Sequence, residues 1–408
     1  MRVLLFNAGS SSLKCSLVES QDGAVLARGL LDWAGSRNRY QYEGNDGVQH
    51  ASDVGWKGHE QAVRRFLYDL SYTEPIALPD HRALAAVGHR VVHGGEFTSS
   101  VQITSEVRSR IAALADLAPL HNPPSLATLA AAEVELPNVP QIATFDTAFH
   151  ATLPTAAYTY PVPEQWNRQW KIRRYGFHGL SHAYCAHRAT EMLVASKDPL
   201  KLVICHLGHG CSASAVCDGR CVDTTMGFTP LEGLMMATRS GSIDPGIVLH
   251  VQKHYGLSVE QMERALNFES GLLGVSGLSA DMREIVATAQ QGHARAQLAL
   301  EIYTRRVRQA IGALAVTMGG IDALVFTAGV GENAGSIRES ICQGLNCLGV
   351  ELDAQANADC CPDMDIASRT SRCRVLVIAA REEVTMLREV LDVLAVRGQS
   401  NMIREHNR

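Results

Sequence analysis

The chain has 408 residues and a mass of 44.2 kDa, which at roughly 150 residues per domain means about two to three domains. Hydrophobic residues make up 46% and charged residues 19%, enough to bury sizeable cores and too apolar for global disorder. A net charge of −5 and a pI of about 6.3 exclude a broad basic face for nucleic acid.

In chain order, Val3-Leu4-Leu5-Phe6 predicts a short strand, Asn7 to Ser12 a polar turn, and Leu13 to Val18 a second strand. Asn7 and the serines end the apolar start too soon for a signal peptide. No apolar stretch reaches the ~20 residues of a membrane span, so the sequence reads as cytoplasmic with no membrane partner. Helical patterns follow at Glu106–Leu117 and His182–Ala195. A second strand–turn–strand unit begins at Leu202-Val203-Ile204-Cys205, turns at His206 to Ser212, resumes at Ala213 to Val216, and turns again at Asp218-Gly219 before Cys221–Thr225. Its recurrence suggests two related domains. His293–Met318 is a long helical pattern, with Ala296, Leu298, Ala299, Ile302, Val307, Ile311 and Leu314 as its apolar face. Its length suggests a helix between domains or subunits. Glu382–Val396 reads as a terminal helix returning to the first domain. The alternation of strands and helices predicts an α/β fold.

The 11 cysteines are an odd number and favour reduced thiols over a disulfide framework. Cys205, Cys211, Cys217 and Cys221, with His206 and His209, match no zinc spacing, so a metal site there is the less favoured reading.

Several apolar strands run into polar or glycine residues: Gln141–Phe145 into Asp146, Val203–Cys205 into His206, Ala323–Phe326 into Thr327–Asn333. Ligands of open α/β sheets bind beyond such strand ends, and the loops at Ser10–Ser12 and Gly208–Ser212 can present backbone N–H groups to phosphate. No G-x-x-x-x-G-K-[ST], G-x-G-x-x-G or G-x-S-x-G signature occurs. Ser11-Ser12-Leu13-Lys14 matches S-x-x-K, yet it lies between strands and lacks the partner motifs of acylating serine enzymes. Arg90, flanked by apolar residues, would be costly to bury without an anion. Arg239 precedes a turn, and His178 sits inside a glycine-bounded one.

Asn7–Lys14, His89–Gly95, Pro119–Pro123, Phe145–His150, Tyr175–Gly179, Met226–Gly233, Thr238–Gly241 and Phe326–Asn333 resemble, in order and across essentially the whole chain, the blocks of the acetate kinase family. The resemblance implies an α/β fold of two duplicated ribonuclease H-like (actin-like ATPase) domains around a central cleft. Residues 1–150 with 384–408 would form the first domain. Residues 151–383 would form the second, which binds nucleotide and makes a homodimer. It implies reversible transfer of the γ-phosphoryl group of ATP to acetate, giving acetyl phosphate and ADP, with Mg2+ (Mn2+ as a possible substitute).

The roles implied are as follows. Arg90, Arg239 and His178 bind and stabilise the transferring phosphoryl, with Asp146 near it, orienting cations or Arg239. His121 and His206 shape the site less directly. Asn7 and Glu382 hold Mg2+. Val92, Leu120, Phe177 and Pro230, with Arg90, form the acyl pocket, in which Val92 favours acetate over propionate. Ser10, Ser12 and Lys14 contact phosphates or support their loop. His206, Leu207, Gly208, His209 and Gly210 form the second phosphate loop. Asp281, Met282, Arg283, Gly329, Val330, Gly331, Glu332 and Asn333 form the nucleotide side. Departures from the family pattern gather on the donor side: His209 for asparagine, Cys211 for serine, Met282 for phenylalanine, Arg381 for asparagine, Ser242 for aspartate, and Leu180 for threonine. The alternatives are a propionate or short-chain acyl kinase, the same reaction with another donor such as pyrophosphate, and a nucleotide-operated switch of the actin type, which would need none of Arg90, Arg239, His178 or the acyl pocket.

Overall fold

A computed structural model describes residues 1–33, 37–193 and 199–406, with side chains to 396. The chain divides into two compact units, Met1–Ala148 with Arg381–Arg408, and Phe149–Ala380.

The first unit is built on eight strands: β1 (Arg2–Ala8), β2 (Ser12–Glu19), β3 (Val25–Asp32), β4 (Asn38–Glu43), β5 (Gln49–Val54), β6 (Leu84–Val91), β7 (Val101–Gln102) and β8 (Gln141–Phe145), in the order β5-β4-β3-β2-β1-β6-β8-β7. β1 pairs antiparallel with β2 and parallel with β6, and β6 runs parallel to β8. The inner strands are buried on both faces, as β8 is throughout, which is why they read as continuous apolar runs. Helices cover the sheet. His59–Tyr72 buries Ala62, Val63, Phe66, Leu67 and Leu70 at helical spacing against Leu4, Phe6, Leu13 and Leu17. The C-terminal helix, Glu382–His406, packs on β1, β6 and β8. Its approach depends on Gly88, where a Cβ would lie 2.8 Å from both Leu5 and Val390 side-chain carbons.

The second unit repeats this plan. β9 (Lys201–Leu207), β10 (Cys211–Cys217), β11 (Arg220–Thr224), β12 (Ala323–Thr327), β13 (Met364–Asp365) and β14 (Arg374–Val377) lie in the order β11-β10-β9-β12-β14-β13. β9 is antiparallel to β10 and parallel to β12, which is parallel to β14. β9, β10, β12 and β14 thus correspond to β1, β2, β6 and β8. Asp218 and Gly219 both take positive φ in the β10–β11 turn, the geometry of a two-residue hairpin.

Some predicted helices need correction. The pattern at Glu106–Leu117 is a helix at Ser105–Ala112 followed by a separate 3-10 turn at Ala115–Leu117. The helix predicted at 182–195 begins earlier and runs Gly179–Met192; residues 194–195 lie outside the described residues. The long helix, Ala294–Thr317, lies within the second unit on β9, β10 and β11 and is not a bridge between domains. Its buried stripe runs Ala296, Ala299, Tyr303, Val307, Ile311, Leu314, whereas Leu298 is 48% exposed. At 100° per residue, Leu298 falls off a stripe spaced at three and four.

Candidate functional site

In the first unit the register brings the parallel strands to an end together: Phe6 lies opposite His89, and Val91 opposite Phe145. Asn7, Arg90 and Asp146 follow at these carboxyl ends, and the C-terminal helix adds its first residue, Glu382. The four are one network. Arg90 donates from Nε to Asp146 Oδ1 (3.0 Å) and from Nη2 to Oδ2 (2.6 Å). Its Nη1 donates to Asn7 Oδ1 (3.0 Å) and lies 3.4 Å from Glu382 Oε2. Asn7 Nδ2 donates to Glu382 Oε2 (2.8 Å). Asp146 is fully buried. Burial acts to lower the Arg90 pKa, but the Asp146 and then the Glu382 carboxylate outweigh it and hold Arg90 charged. The anion that makes Arg90 tolerable in the interior is therefore in the protein itself. The resemblance links Asp146 to cations or Arg239; in the first unit it also pairs with Arg90. With two carboxylates around one guanidinium, the network carries an excess negative charge.

The backbone around this network is pinned. Ser125 Oγ donates to the Arg90 carbonyl (2.9 Å), and Asp146 N to that of Val91 (3.1 Å). Asn122 exchanges hydrogen bonds with the backbone of His93 (3.1 and 3.0 Å), tying the loop after β6 to the helix that His121 opens. Val92 is buried and Leu120 half-buried in this unit. In the β1–β2 turn, closed by Gly9 N to Ser12 O (2.8 Å), Ser10 is exposed and Ser12 half-buried. Lys14 is exposed, across from Asn7. Ser11 lies in this hairpin turn and not at a helix start, so the acylating-serine arrangement is not formed.

The second unit carries a histidine cluster. His178 has φ 57° and precedes the helix Gly179–Met192. Its ring stacks on His206 at the end of β9 (centroids 4.1 Å, 21°). His178 Nδ1 is 3.0 Å and His182 Nε2 is 2.7 Å from the same Ser212 Oγ, and His206 Nδ1 is 2.8 Å from Ser181 Oγ. Burial lowers the pKa of His182 well below its ordinary value, with His150 and His206 adding to the effect. At Gly210 a Cβ would lie 3.2 Å from His178 Nε2 and 3.6 Å from Arg239 Nη1, so glycine keeps both groups open to the same point. Leu207 is buried, with Gly208 and His209 next in the loop. His209 is exposed, yet desolvation by the protein around it and the Arg239 charge push its pKa down.

Arg239 is the electrostatic opposite of Arg90. It is 9% exposed, and its Nη1 reaches the Pro230 carbonyl (3.0 Å) and Met236 Sδ (3.7 Å). Among the described residues no carboxylate pairs with it, and burial lowers its pKa. A buried cation without a counter-charge is costly. Phe177 is buried and Pro230 half-buried in this unit.

On the nucleotide side, Asp281 caps the helix Met282–Gln290 through Arg283 N (2.8 Å) and pairs with the Arg283 guanidinium (2.5 Å). That hydrogen bonding lowers its pKa to about 2. Met282 is buried. β12 runs into Ala328–Asn333, a six-residue helix containing Gly329, Val330, Gly331, Glu332 and Asn333. Fully buried Arg338 donates to the Gly331 and Glu332 carbonyls (2.9 and 2.8 Å) and holds this segment from below. A cavity of about 580 Å³ lies between the helices Met282–Gln290, Ala294–Thr317 and Gly335–Cys342, lined by Val286, Leu300, Glu301, Arg305, Ile337 and Ser340.

Sequence reasoning did not single out His182, Ser212 or Arg338. His182 carried a readable signal, four residues after His178 on one helix face. Ser212 carried none, because its meeting with both rings depends on how the helix Gly179–Met192 packs on the sheet. The clustered cysteines are separate thiols: Cys205, Cys211 and Cys221 are free and buried. Burial pushes Cys211 up to about 11 despite Tyr303 at 3.4 Å. Among the described residues no group of three or more His, Cys, Asp or Glu could hold a metal ion.

The profile of the acetokinase family matches residues 2–388. Acetate kinase from Gloeobacter violaceus is 47% identical over 407 residues, covering 95% of this chain and 98% of its own. The crystal structure of Porphyromonas gingivalis acetate kinase superposes with a TM-score of 0.87 at 38% identity, over 96% of this chain and 99% of that one. A propionate kinase from Francisella tularensis subsp. tularensis SCHU S4 superposes with the same TM-score at 37% identity, over 95% and 98%. With the likeness extending from β1 into the C-terminal helix, the chain belongs to the acetokinase family.

Proposed function

We propose that the chain is an acetate kinase that moves the γ-phosphoryl group of ATP to acetate, reversibly. Acetate is ionised at neutral pH, so no base is needed to activate it. The difficulty is that two anions must meet, and catalysis then rests on positioning and on charge placed at the transferring group. A carboxylate oxygen of acetate bonds to the γ-phosphorus in line with the departing oxygen. The P–O bond to ADP breaks, and ADP leaves. Arg239 carries the reading: it is buried, charged and without a carboxylate partner, so a phosphoryl anion completes its environment. His178, open to the same point across Gly210, donates to that group. Arg90, held by Asp146, presents its remaining edge to the acyl phosphate. Val92, Leu120, Phe177 and Pro230 line the acyl side.

The oxygen donors of Asn7 and Glu382, in a network with excess negative charge, fit Mg2+, which takes few protein ligands and keeps its waters; Mn2+ fits the same donors. When bound, Mg2+ supplies charge neutralisation on the phosphate oxygens. Ser10, Ser12, Lys14 and the loop 206–210 serve the phosphates. The adenosine would lie toward Asp281–Arg283 and Gly329–Asn333, and the helix Met282–Gln290 borders the 580 Å³ cavity.

A homodimer fits the apolar residues left exposed on the helices Pro245–Tyr255 and Val259–Phe268 of the second unit, where Leu249, Tyr255 and Val259 are 69%, 72% and 67% exposed. The free cysteines suit the reducing cytoplasm. Among the described residues no helix is long and apolar enough to cross a membrane.

A hydroxamate assay with acetate, Mg2+ and either ATP or pyrophosphate tests the assignment. Acetyl phosphate formed with ATP is expected, and none with any donor would falsify it. The likeness to a propionate kinase favours a second reading, separated by relative kcat/KM on the two acids.

A further inference from the structure

We propose that Ser212 and His182 are positioning residues that fix His178 as a neutral imidazole with its proton on Nε2. This deepens the acetate kinase reading and rests on it. Ser212 lies on β10, opposite His206, and is fully buried. Its hydroxyl has one proton to give and lies between two ring nitrogens, His178 Nδ1 at 3.0 Å and His182 Nε2 at 2.7 Å. The direction of this chain is set at its far end. His182 is fully buried, and its Nδ1 has no hydrogen-bond partner.

Burial keeps His182 neutral, so it has a single N–H to place. On Nδ1 that N–H would be an orphaned buried donor, which costs its full desolvation, and Nε2 would have no proton for Ser212. On Nε2 it donates to Ser212 Oγ. The Ser212 proton then goes to His178 Nδ1, which acts as acceptor, and the proton of neutral His178 resides on Nε2. Nε2 is the atom that faces Gly210 beside Arg239 Nη1. The site is thereby given two fixed donors at one point.

The same chain opposes the imidazolium form of His178. A proton on Nδ1 would make it a second donor to Ser212, and the hydroxyl proton would lose its acceptor. Other titratable groups stand close to this chain. His206 is stacked on its ring, Arg239 stands across Gly210, and His182 lies beyond Ser212 with His150 at 5.7 Å from it. The donor is therefore constant in number and charge as the pH crosses the ordinary imidazole pKa of about 6.5.

The test is kcat against pH 5.5–8 for wild type, Ser212→Ala and Ser212→Thr, with acetate and MgATP saturating. Expected is a wild-type profile without an imidazole titration. Ser212→Ala should lose about 10- to 100-fold in kcat and gain a titration near about pH 6.5. Both KM values should stay within about twofold, as for an interaction made in the transition state. Ser212→Thr, which keeps the hydroxyl, should restore the flat profile. A folded Ser212→Ala with the wild-type pH profile overturns the proposal. Should that variant fail to fold, 15N shifts of histidine-labelled wild type decide instead, with His178 assigned by its loss in His178→Asn. A bare Nδ1 and protonated Nε2 at pH 6 are expected, and a protonated Nδ1 overturns it. Absence of acetyl phosphate synthesis by wild type would overturn the kinase reading alone, since the 15N measurement reads the tautomer without turnover.

Discussion

Arg90 and Arg239 are both buried arginines proposed for the same reaction, yet replacing each with methionine should change stability in opposite directions. Arg239 has no carboxylate partner among the described residues and donates only to the Pro230 carbonyl and Met236 sulfur. Exchanging buried ionic groups for apolar ones of similar volume stabilises proteins by about 1–4 kcal/mol. Losing the hydrogen bond to Pro230 offsets about 1 kcal/mol of that. Arg239→Met should therefore gain about 0–3 kcal/mol. Arg90→Met leaves the Asp146 and Glu382 carboxylates facing each other without their guanidinium, and breaking a buried pair costs about 3–5 kcal/mol. Urea midpoints of the two variants should fall on either side of wild type. The kcat of Arg239→Met should drop about 10³-fold, as when a charge-stabilising donor is removed. Inorganic phosphate should raise the Tm of wild type and leave that of Arg239→Met unmoved. Equal destabilisation by both substitutions would show that Arg239 has a counter-charge, and wild-type kcat in Arg239→Met would remove it from the chemistry.

Val92→Ala should raise kcat/KM for propionate relative to acetate by about tenfold, since one methylene is worth about 1–3 kcal/mol; an unchanged preference would take Val92 out of the pocket. Burial, resisted by a hydrogen bond from Ser100 and aided by Asp146 and Asp392, raises Glu389 from 4.5 to about 7. At 1.36 kcal/mol per unit, about 3 kcal/mol of stability is present below pH 4.5 and lost as pH rises through 7. Glu389→Gln should thus gain on wild type in urea between pH 5 and pH 8, and a constant difference would refute this. Leu249→Glu should shift the protein toward monomer in sedimentation velocity, and an unchanged dimer would move the interface elsewhere. His209→Asn should remove a change in ATP KM that wild type shows only below its ordinary imidazole pKa of 6.5, and parallel profiles would exclude His209 from donor binding.

The α/β class and its duplication were legible because both depend on local pattern. Fully buried parallel strands such as β8 and β12 are continuous apolar runs, and the strand–turn–strand unit is contiguous in the chain. Arg90, His178 and Arg239 stood out by their glycine and apolar neighbours. Their electrostatic states did not, since a guanidinium among apolar residues reads the same whether its counter-charge is a distant aspartate or a substrate. The exposure of Leu298 and the break after Ala112 were misread for a related reason: hydrophobicity does not say which way a helix faces until something packs on it.

Local pattern was thus enough for the two sheets, the loops at their strand ends and the residue types available for chemistry. The pairings came only with folding. Asp146 meets Arg90 because three parallel strands end level, and Glu382 joins them because the last helix returns to the first sheet over Gly88. Ser212 lies between two histidines because the start of the helix Gly179–Met192 packs against the second sheet. Charge pairing and proton placement depend on ångström distances between residues far apart in the chain, and no local pattern encodes those.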